Sequence, residues 1–427
     1  MRRHARTTIG LMSLCLALTA CGQAPSFSPD ELALIRSLSE LEEVPPDPTN
    51  AVADDPDAAH MGRFLFFDKR LSGNGEFSCA SCHDPDLGFS DDLPVSETIA
   101  PAGRHAPTLL NTAYNRWYFW DGRCDSLWCQ AVFPIEHPDE MGGNRLAVAH
   151  LVTEDAEISV AYAGLFGPVP DLSDAARFPA NARPVPTDPD NPHDVAWNTM
   201  TEEDQQTING IYTNAAKTIA AYERLLVRPH APFDDYVKGL ESDDPTLKDA
   251  LSPAAERGLK LFVSDANCHL CHMGPTLSNL EFHNIGLGPR DWLSEEDVGR
   301  YSGIERVRAT LFNGEGDYSD DQDAGAEKLA FLKSGDQNFF GAFKTPTLRN
   351  VTDTAPYMHG GHFETLTEVV TYYSDLDEVP LWGHREETLI PLELDAEQKG
   401  DLVSFLEHLT GEPLDEALLT APPSPLP

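Results

Sequence analysis

Two seven-residue stretches decide the fold: Phe77–His83 reads FSCASCH, and Ala266–His272 reads ANCHLCH. Each contains two cysteines separated by two residues, with a histidine directly after the second cysteine. Each also follows a segment with helical spacing of apolar residues, 58–67 before the first stretch and 253–262 before the second. A helix followed by the same cysteine motif, occurring twice, predicts two structural units of one kind in a single chain.

The Cys-x-x-Cys-His pattern is typical of covalent attachment of a c-type haem. The two thiols form thioethers with the haem, and the histidine becomes an axial ligand of the iron. A thioredoxin-like redox pair does not need the histidine, and a zinc site would have to join ligands from two distant motifs. The sequence therefore predicts two c-type haems, attached at Cys79, Cys82, Cys268 and Cys271 and ligated by His83 and His272.

The charge of the chain limits its partners. The 427 residues carry a formal net charge of −40, and 41% of them are hydrophobic, which is a globular composition. Such an acidic surface argues against a nucleic-acid partner. Two interpretations of the charge stay open: a solvated surface that keeps the protein soluble, or an acidic face for a basic electron-transfer partner.

The amino terminus has the pattern of an export signal. Three arginines within the first six residues precede an apolar run at 9–20 that is too short to span a membrane. The run ends in Leu-Thr-Ala-Cys21, which resembles a bacterial lipobox with Cys21 as the acylated residue. Gly22 then favours sorting to the outer membrane. We expect a periplasmic, outer-membrane lipoprotein anchored at Cys21, with ordinary cleavage and free periplasmic release as the alternative.

Cysteine usage agrees with an exported protein. Of the eight cysteines, two lie in the leader region and four in the haem motifs, which leaves Cys124 and Cys129. In an oxidising compartment this pair is expected to form a disulfide, and a separation of five residues is compatible with disulfide geometry. Two free thiols are the alternative. Trp128 is expected to pack beside the pair.

The remaining sequence predicts a mainly α-helical chain with long loops. Ser28-Pro29 and Asp395 are helix-start signals, and the acidic stretches 167–191 and 313–327 are expected to be loops. The predicted organisation is a signal peptide at 1–21, a tether at 22–27, a first domain at 28–245, a second domain at 246–415 and a tail at 416–427.

Several further segments carry a family resemblance: RHAPTLL at 104–110, WDGR at 120–123, and GAFKTPTLRNVTDTAPYMHGG at 341–361. With both haem motifs in order, residues 55–412 resemble the bacterial di-haem cytochrome c peroxidase family, which includes the MauG-like enzymes. The resemblance implies two cytochrome c-like domains, each with one haem, and a reaction with hydrogen peroxide at the first haem.

The resemblance also assigns residues around the first haem. It places Glu140 in the distal pocket, with Gln130 and Pro134 lining the same pocket. Cleavage of a peroxide needs a base that moves a proton from one oxygen to the other, and a pocket carboxylate can do this. A solvated loop carboxylate is the alternative for Glu140. Trp120 matches a tryptophan that lies between the two haems of the family, where its indole is expected to relay electrons or holes; ordinary core packing is the alternative and is compatible with that role.

The chain departs from the family pattern at His105. Members that need reductive activation have a second histidine in the loop after the first motif, and here no histidine occurs before His105. His105 stands where the family usually has an asparagine that binds calcium, together with main-chain oxygens matching Thr354 and Pro356. Imidazole is a poor calcium ligand. We expect an open, five-coordinate first haem, with His105 as a blocking ligand as the alternative.

The second haem needs a sixth ligand, and TLTEVVTYYSDL at 365–376 offers two tyrosines. The family places this ligand fourteen positions after the position of His359, which is Tyr373, as in MauG-like enzymes. Helical phase agrees, because Tyr373 shares an apolar face with Leu366 and Val370, whereas Tyr372 points elsewhere. Met358 is the alternative ligand. The remaining side chains considered are Met273, His359 and His362.

These observations predict a periplasmic di-haem oxidoreductase. Peroxide reacts at the first haem, and the oxidising equivalents are shared with a His/Tyr-ligated second haem to oxidise a donor, as in MauG-like enzymes. The donor is a redox protein or a protein substrate, although Ala266 replaces the surface tryptophan that relays charge in MauG. The alternatives are a conventional cytochrome c peroxidase supplied by a small redox protein, and a di-haem electron-transfer lipoprotein without enzyme activity.

Overall fold

A computed structural model describes residues 25–294 and 296–427. The predicted signal peptide, the lipobox at Cys21 and the first part of the tether lie outside the described residues. No helix in the described ranges is long and apolar enough to cross a membrane. The described chain is mainly helical, as predicted, and its regular elements run in the order that follows.

In the first half the helices are α1 Pro29–Ser37, α2 Pro56–Phe67, α3 Leu127–Glu136, α4 Arg145–Glu154, α5 Ala156–Phe166, α6 Pro192–Trp197 and α7 Glu202–Glu223. In the second half they are α8 Pro232–Ser242, α9 Pro245–Lys248, α10 Pro253–Val263, α11 Arg300–Ala309, α12 Gln322–Leu329, α13 Leu366–Asp375 and α14 Ala396–Glu407. Two short strands, β1 Phe282–His283 and β2 Phe343–Lys344, pair antiparallel with Phe282 opposite Lys344.

The helix starts follow their sequence signals. Ser28 caps α1 and forms a reciprocal capping box with Glu31. Asp395 caps α14, whose last residue is Glu407, so the helix ends before Gly411. The interval 167–191 contains no helix or strand, as predicted.

The prediction of a loop throughout 313–327 is wrong in its last part. Helix α12 begins at Gln322 because the side chain of Asp321 accepts a hydrogen bond from the backbone N–H of Ala324. The acidic composition of this stretch hid an ordinary N-cap, since aspartate is both a loop residue and a favoured capping residue.

The internal repeat is visible in the packing of two helix pairs. Helix α2 crosses α7 at Gly62, where an added Cβ would lie 1.8 Å from the carbonyl oxygen of Thr218. Helix α10 crosses α14 at Gly258, where an added Cβ would lie 1.9 Å from the carbonyl oxygen of Asp401. The first helix of each pair leads into a Cys-x-x-Cys-His motif. The repeat predicted from the sequence therefore builds two similar helix crossings.

Each helix pair has its own hydrophobic core. In the first core Phe66 of α2 contacts Tyr222 of α7, with 5.1 Å between ring centroids. In the second core Phe405 of α14 contacts Phe262 at 5.1 Å and Phe233 at 5.5 Å. Buried aromatic contacts of this kind stabilise each half separately.

The two ends of the described chain pack on the opposite halves. Ile35 and Leu38, at the end of α1, are fully buried in the second core. The carboxy-terminal segment returns to the first core, where the hydroxyl of Tyr222 donates a hydrogen bond to the carbonyl of Leu418. The ring Nε2 of His60 also lies 3.0 Å from the carbonyl oxygen of Ser424. The predicted domain boundaries at 28–245 and 246–415 stay a prediction. The packing shows in addition that each end of the described chain contributes to the core of the other half.

Candidate functional site

The first motif forms a short turn that presents His83. The backbone N–H of His83 donates to the carbonyl of Cys79 at 3.0 Å, and its ring Nδ1 lies 3.0 Å from the carbonyl oxygen of Phe89. Because a carbonyl only accepts, Nδ1 carries the proton and Nε2 keeps its lone pair for a metal. Burial lowers the pKa of His83, which favours the neutral, ligating form.

A cavity of about 430 Å³ opens beside this turn. The predicted residues of the first site share its wall although they come from three separated segments. The wall includes Cys79, Cys82, His83, Trp120, Gln130, Pro134 and Glu140. Both motif thiols, an imidazole with a free Nε2 and a large void are what an attached haem requires, so these residues fit the group.

Glu140 reaches the cavity through a tight turn after α3. Its backbone N–H donates to the carbonyl of His137, and the N–H of Met141 donates to the carbonyl of Pro134, both at 3.2 Å. The Glu140 side chain is 24% exposed, and its Oε1 lies 3.7 Å from Nδ1 of His137. The carboxylate therefore borders the cavity with limited access to solvent, instead of extending freely into water.

The disulfide predicted between Cys124 and Cys129 is confirmed, with 5.6 Å between the Cα atoms. Both cysteines are fully buried, and Trp128 is packed in the same core. The bridge ties the segment that carries Trp120 to helix α3, which carries Gln130 and Pro134. The cavity wall is thus held together by a covalent link.

Trp120 lies where the two halves meet. Its indole N–H donates to the carbonyl of His105 at 2.9 Å, and its own carbonyl accepts from the N–H of Lys344 at 2.8 Å. Its ring stands edge-on to His359, with 6.4 Å between centroids. Trp120 therefore joins the first cavity to the 341–361 segment, and its role between two redox sites stays a prediction.

His105 is buried, and both of its ring nitrogens have partners. Nδ1 lies 2.8 Å from the carbonyl oxygen of Leu93, and Nε2 lies 3.2 Å from the hydroxyl of Ser90. In this arrangement both ring nitrogens face atoms of the protein, while the residue lines the first cavity; His105 as a blocking ligand stays the alternative. The ring supplies no oxygen for calcium, and the described residues contain no group of three His, Cys, Asp or Glu that could hold a metal. The imidazole of His105 therefore does not fit calcium as a ligand, while Thr354 and Pro356 stay its predicted main-chain ligands.

The second motif repeats the arrangement of the first. Nδ1 of His272 lies 2.9 Å from the carbonyl oxygen of Leu277, which leaves Nε2 for a metal. Burial lowers the pKa of His272 to about 4. Burial also raises the pKa of the Cys268 thiol to about 12. These features fit a second attached haem.

The two adjacent tyrosines of α13 have different surroundings. Tyr372 is buried, and its hydroxyl donates to the carbonyl of Ile285 at 2.6 Å, so it serves packing. Burial raises the pKa of Tyr373, and the neighbouring Tyr372 and the thiols of Cys271 and Cys268 raise it further, so its phenol lies within electrostatic range of the second motif. Within the described residues no hydrogen bond ties down the Tyr373 hydroxyl, so it is free to meet another group.

The other candidate ligands of the second haem have different surroundings. Met273 is 47% exposed. Met358 has a left-handed backbone with φ of 74° and packs half-buried between the second core and the cluster around Tyr372. His359 stacks on Phe343, with 3.7 Å between ring centroids. Tyr373 as ligand of the second haem stays a prediction, with Met358 as the alternative.

Sequence reasoning missed Glu223, which also lines the first cavity. It is the last residue of α7, it is 3% exposed, and its Oε2 has no hydrogen-bond partner. Burial raises the pKa of Glu223 to about 8. A signal was present, because Glu223 follows Ile219 by four positions and Ala216 by seven, on the apolar face of the helix.

Comparison with known proteins agrees with this geometry. Residues 56–242 match the family model described as di-haem cytochrome c peroxidase. The chain is similar to the cytochrome-c peroxidase IdrP2 of Pseudomonas sp. (strain SCT), with 30% identity over 97% of this chain and 94% of the relative. It is equally similar, at 30%, to the methylamine utilization protein MauG of Methylorubrum extorquens, over 96% of this chain and 94% of the relative.

Solved structures share the fold. A MauG-like protein associated with microbial copper homeostasis aligns with a TM-score of 0.60 and 25% identity, covering 90% of this chain and 97% of that one. The diheme peroxidase BthA from Burkholderia thailandensis aligns with a TM-score of 0.60 and 22% identity, over 90% of this chain and 92% of the other. The predicted fold class, mainly α with two cytochrome c-like domains, is confirmed.

Proposed function

The chain belongs to the di-haem cytochrome c peroxidase family, and from that premise we propose that it is a periplasmic, MauG-like oxidoreductase. It reacts with hydrogen peroxide at the first site, shares the oxidising equivalents with a second site ligated by His272 and Tyr373, and oxidises a donor. When bound, the two c-type haems supply the redox chemistry with peroxide. The steps that follow concern the side chains around them.

Glu140 is the proton-transfer group of the first site. Its carboxylate borders the cavity that His83 enters, and it is only 24% exposed. A carboxylate at this place would accept a proton from one peroxide oxygen and return it to the other as the O–O bond breaks. Gln130 and Pro134 line the same wall, where the amide orients the peroxide by hydrogen bonding and the proline ring excludes water.

Trp120 connects this site to the second one. Hydrogen bonds at both its indole N–H and its carbonyl hold it between the two halves, so its orientation does not depend on solvent. An indole can be oxidised and reduced reversibly, so it can pass an oxidising equivalent between two sites that are not in direct contact. The proposed transfer therefore uses a residue that the protein holds rigidly.

The observation that carries the MauG-like proposal is the phenol of Tyr373. It is within electrostatic range of Cys271 and Cys268, and it makes no hydrogen bond with the described residues, whereas the hydroxyl of the adjacent Tyr372 donates to the carbonyl of Ile285. An anionic phenolate stabilises oxidised iron more than a thioether does. A tyrosine ligand therefore favours storage of oxidising equivalents at the second site over ordinary electron transfer.

The matched pair Tyr373→Phe and Tyr372→Phe tests the ligand. We expect Tyr373→Phe to change the resting absorption spectrum of the second haem and Tyr372→Phe to leave it unchanged. A methionine–iron charge-transfer band in the wild type, retained in Tyr373→Phe, would identify Met358 as the ligand instead.

A conventional cytochrome c peroxidase is the second candidate. Leu270 and Met273, within and just after the second motif, are 44% and 47% exposed, which leaves apolar surface where a small redox protein can dock. Ala266 is 7% exposed, so this position offers neither an aromatic ring nor surface access for the MauG relay.

Rapid steady-state consumption of peroxide with a reduced cytochrome favours the conventional activity. A long-lived oxidised enzyme after peroxide alone favours the MauG-like one, and a first haem that does not react favours a non-enzymatic carrier.

The proposed location is the periplasmic side of the outer membrane, with a lipid on Cys21. The support is the leader pattern and the buried disulfide between Cys124 and Cys129, which suits an oxidising compartment. Incorporation of labelled fatty acid into the wild type but not into Cys21→Ser tests the anchor. Equal labelling of the two proteins, or none in either, would refute it.

A further inference from the structure

His105 joins three separate parts of the chain. Its ring contacts Leu93 and Ser90 of the loop after the first haem motif. Its carbonyl accepts from the indole N–H of Trp120 at 2.9 Å, and its backbone N–H donates to the carbonyl of His359 at 3.0 Å. The last contact crosses to the second half, so one residue links the first site, the bridging tryptophan and the 341–361 segment.

The hydrogen-bond geometry directs both ring nitrogens of His105 at atoms of the protein. Nδ1 faces a carbonyl oxygen, which only accepts, so Nδ1 carries a proton. Nε2 faces the hydroxyl of Ser90, whose oxygen also lies 2.6 Å from the carbonyl oxygen of Ala106. The hydroxyl has a single proton for Nε2 and the Ala106 carbonyl, so Nε2 is directed at Ser90 but keeps its lone pair in the neutral ring whenever that proton goes to Ala106.

The oxygen atoms around the His105 ring also accept hydrogen bonds from the protein. The Leu93 carbonyl holds Nδ1, and the nearest carboxylate, Asp91, lies 3.5 Å from Nδ1 through Oδ1. The Oδ2 of Asp91 accepts a hydrogen bond from Ser96 at 2.5 Å. Calcium needs about six to eight oxygen ligands. The imidazole of His105, which is 4% exposed, occupies the position between these oxygens.

We propose that His105 is a positioning residue that performs with hydrogen bonds the cross-linking that a calcium ion would otherwise provide, and that the enzyme is independent of calcium. The imidazole holds the loop at 90–93, while the main chain of the same residue holds Trp120 and the segment at His359. The proposal rests on these contacts and not on the MauG-like activity, so it stands or falls separately from the identity of the donor.

The test uses the holoenzyme with both haems attached. Wild type is dialysed against EGTA, and its calcium content is measured by elemental analysis along with its absorption spectrum and the rate at which the second haem is oxidised after peroxide. We expect a calcium content well below one ion per chain, and no change in the spectrum or the oxidation rate after treatment with EGTA. In His105→Asn, which restores an amide oxygen and removes the imidazole, we expect that rate to fall about tenfold or more without added calcium.

The control is His150→Asn, because His150 is also partly buried and hydrogen-bonded, to Glu154 and the Pro179 carbonyl, but lies outside the cavity wall. In this control the second haem should be oxidised after peroxide at the wild-type rate. One tightly held calcium per wild-type chain, with spectral changes on its removal, would overturn the proposal. So would a His105→Asn protein indistinguishable from the control. If His105→Asn does not fold, the calcium content and EGTA response of the wild type still decide.

Discussion

Glu223 provides a prediction that follows from burial alone. Its carboxyl is enclosed at the cavity wall with one oxygen unpartnered, and burial raises its pKa from 4.5 to about 8. The folded protein therefore keeps this proton between pH 4.5 and about 8, whereas the unfolded chain releases it. Because the folded state binds more protons in this window, the free energy of unfolding falls as pH rises.

The size of the effect follows from the shift. One pKa unit corresponds to about 1.4 kcal/mol, so the shift of Glu223 corresponds to a loss of about 5 kcal/mol between pH 4.5 and pH 8. Glu223→Gln has nearly the same shape as the protonated acid and no charge to bury. We expect this variant to be about as stable as the wild type at pH 5 and several kcal/mol more stable at pH 9.

Denaturant unfolding followed by circular dichroism, on holoprotein at pH 5, 7 and 9, measures the difference. Glu203→Gln is the matched control, because Glu203 lies exposed in the first turn of the same helix α7. The control should follow the pH dependence of the wild type. If the free energy of unfolding of Glu223→Gln changes from pH 5 to pH 9 as that of the wild type does, burial does not hold the carboxyl protonated and the reasoning is refuted.

Three further changes have defined outcomes. Glu140→Gln should slow the reaction with peroxide by about 10²–10⁴-fold in stopped-flow absorption, and a loss below tenfold would exclude proton transfer by this residue. Trp120→Phe should preserve that first reaction and slow oxidation of the second haem; equal slowing of both would contradict a bridging role. Asp234→Asn breaks a fully buried pair with Arg349, at 2.9 Å, and should cost about 3–5 kcal/mol in denaturant unfolding. Because the guanidinium lowers the pKa of Asp234 against the opposing effect of burial, the pair's contribution should persist at neutral pH and vanish in acid.

The parts of the fold that sequence predicts well are those that depend on neighbouring residues. The capping box of Ser28 and Glu31, the two haem motifs and the disulfide all involve residues within five positions of each other. The phase of α13 also separates Tyr372 from Tyr373, because the direction of a helical side chain follows from its position alone.

The parts that sequence does not predict depend on contacts between distant segments. The gathering of Glu140, Trp120 and His83 around one cavity followed from the family resemblance and not from spacing. The role of His105 required its hydrogen bonds with Leu93 and His359, which cannot be read from a single histidine in a loop. Glu223 was missed because an acidic residue at the end of a helix is usually exposed.

The exchange of chain ends has a consequence for biosynthesis. Ile35 and Leu38, near the start of the chain, complete the second core, and the segment around Leu418, near its end, covers the first. A polypeptide emerging during synthesis or export therefore finishes neither half until its last residues are available. Cutting the gene at the boundary near residue 245 would yield two fragments that each lack a piece held by the other. Co-expressed fragments should accordingly recover haem-loaded protein that neither fragment yields when produced alone.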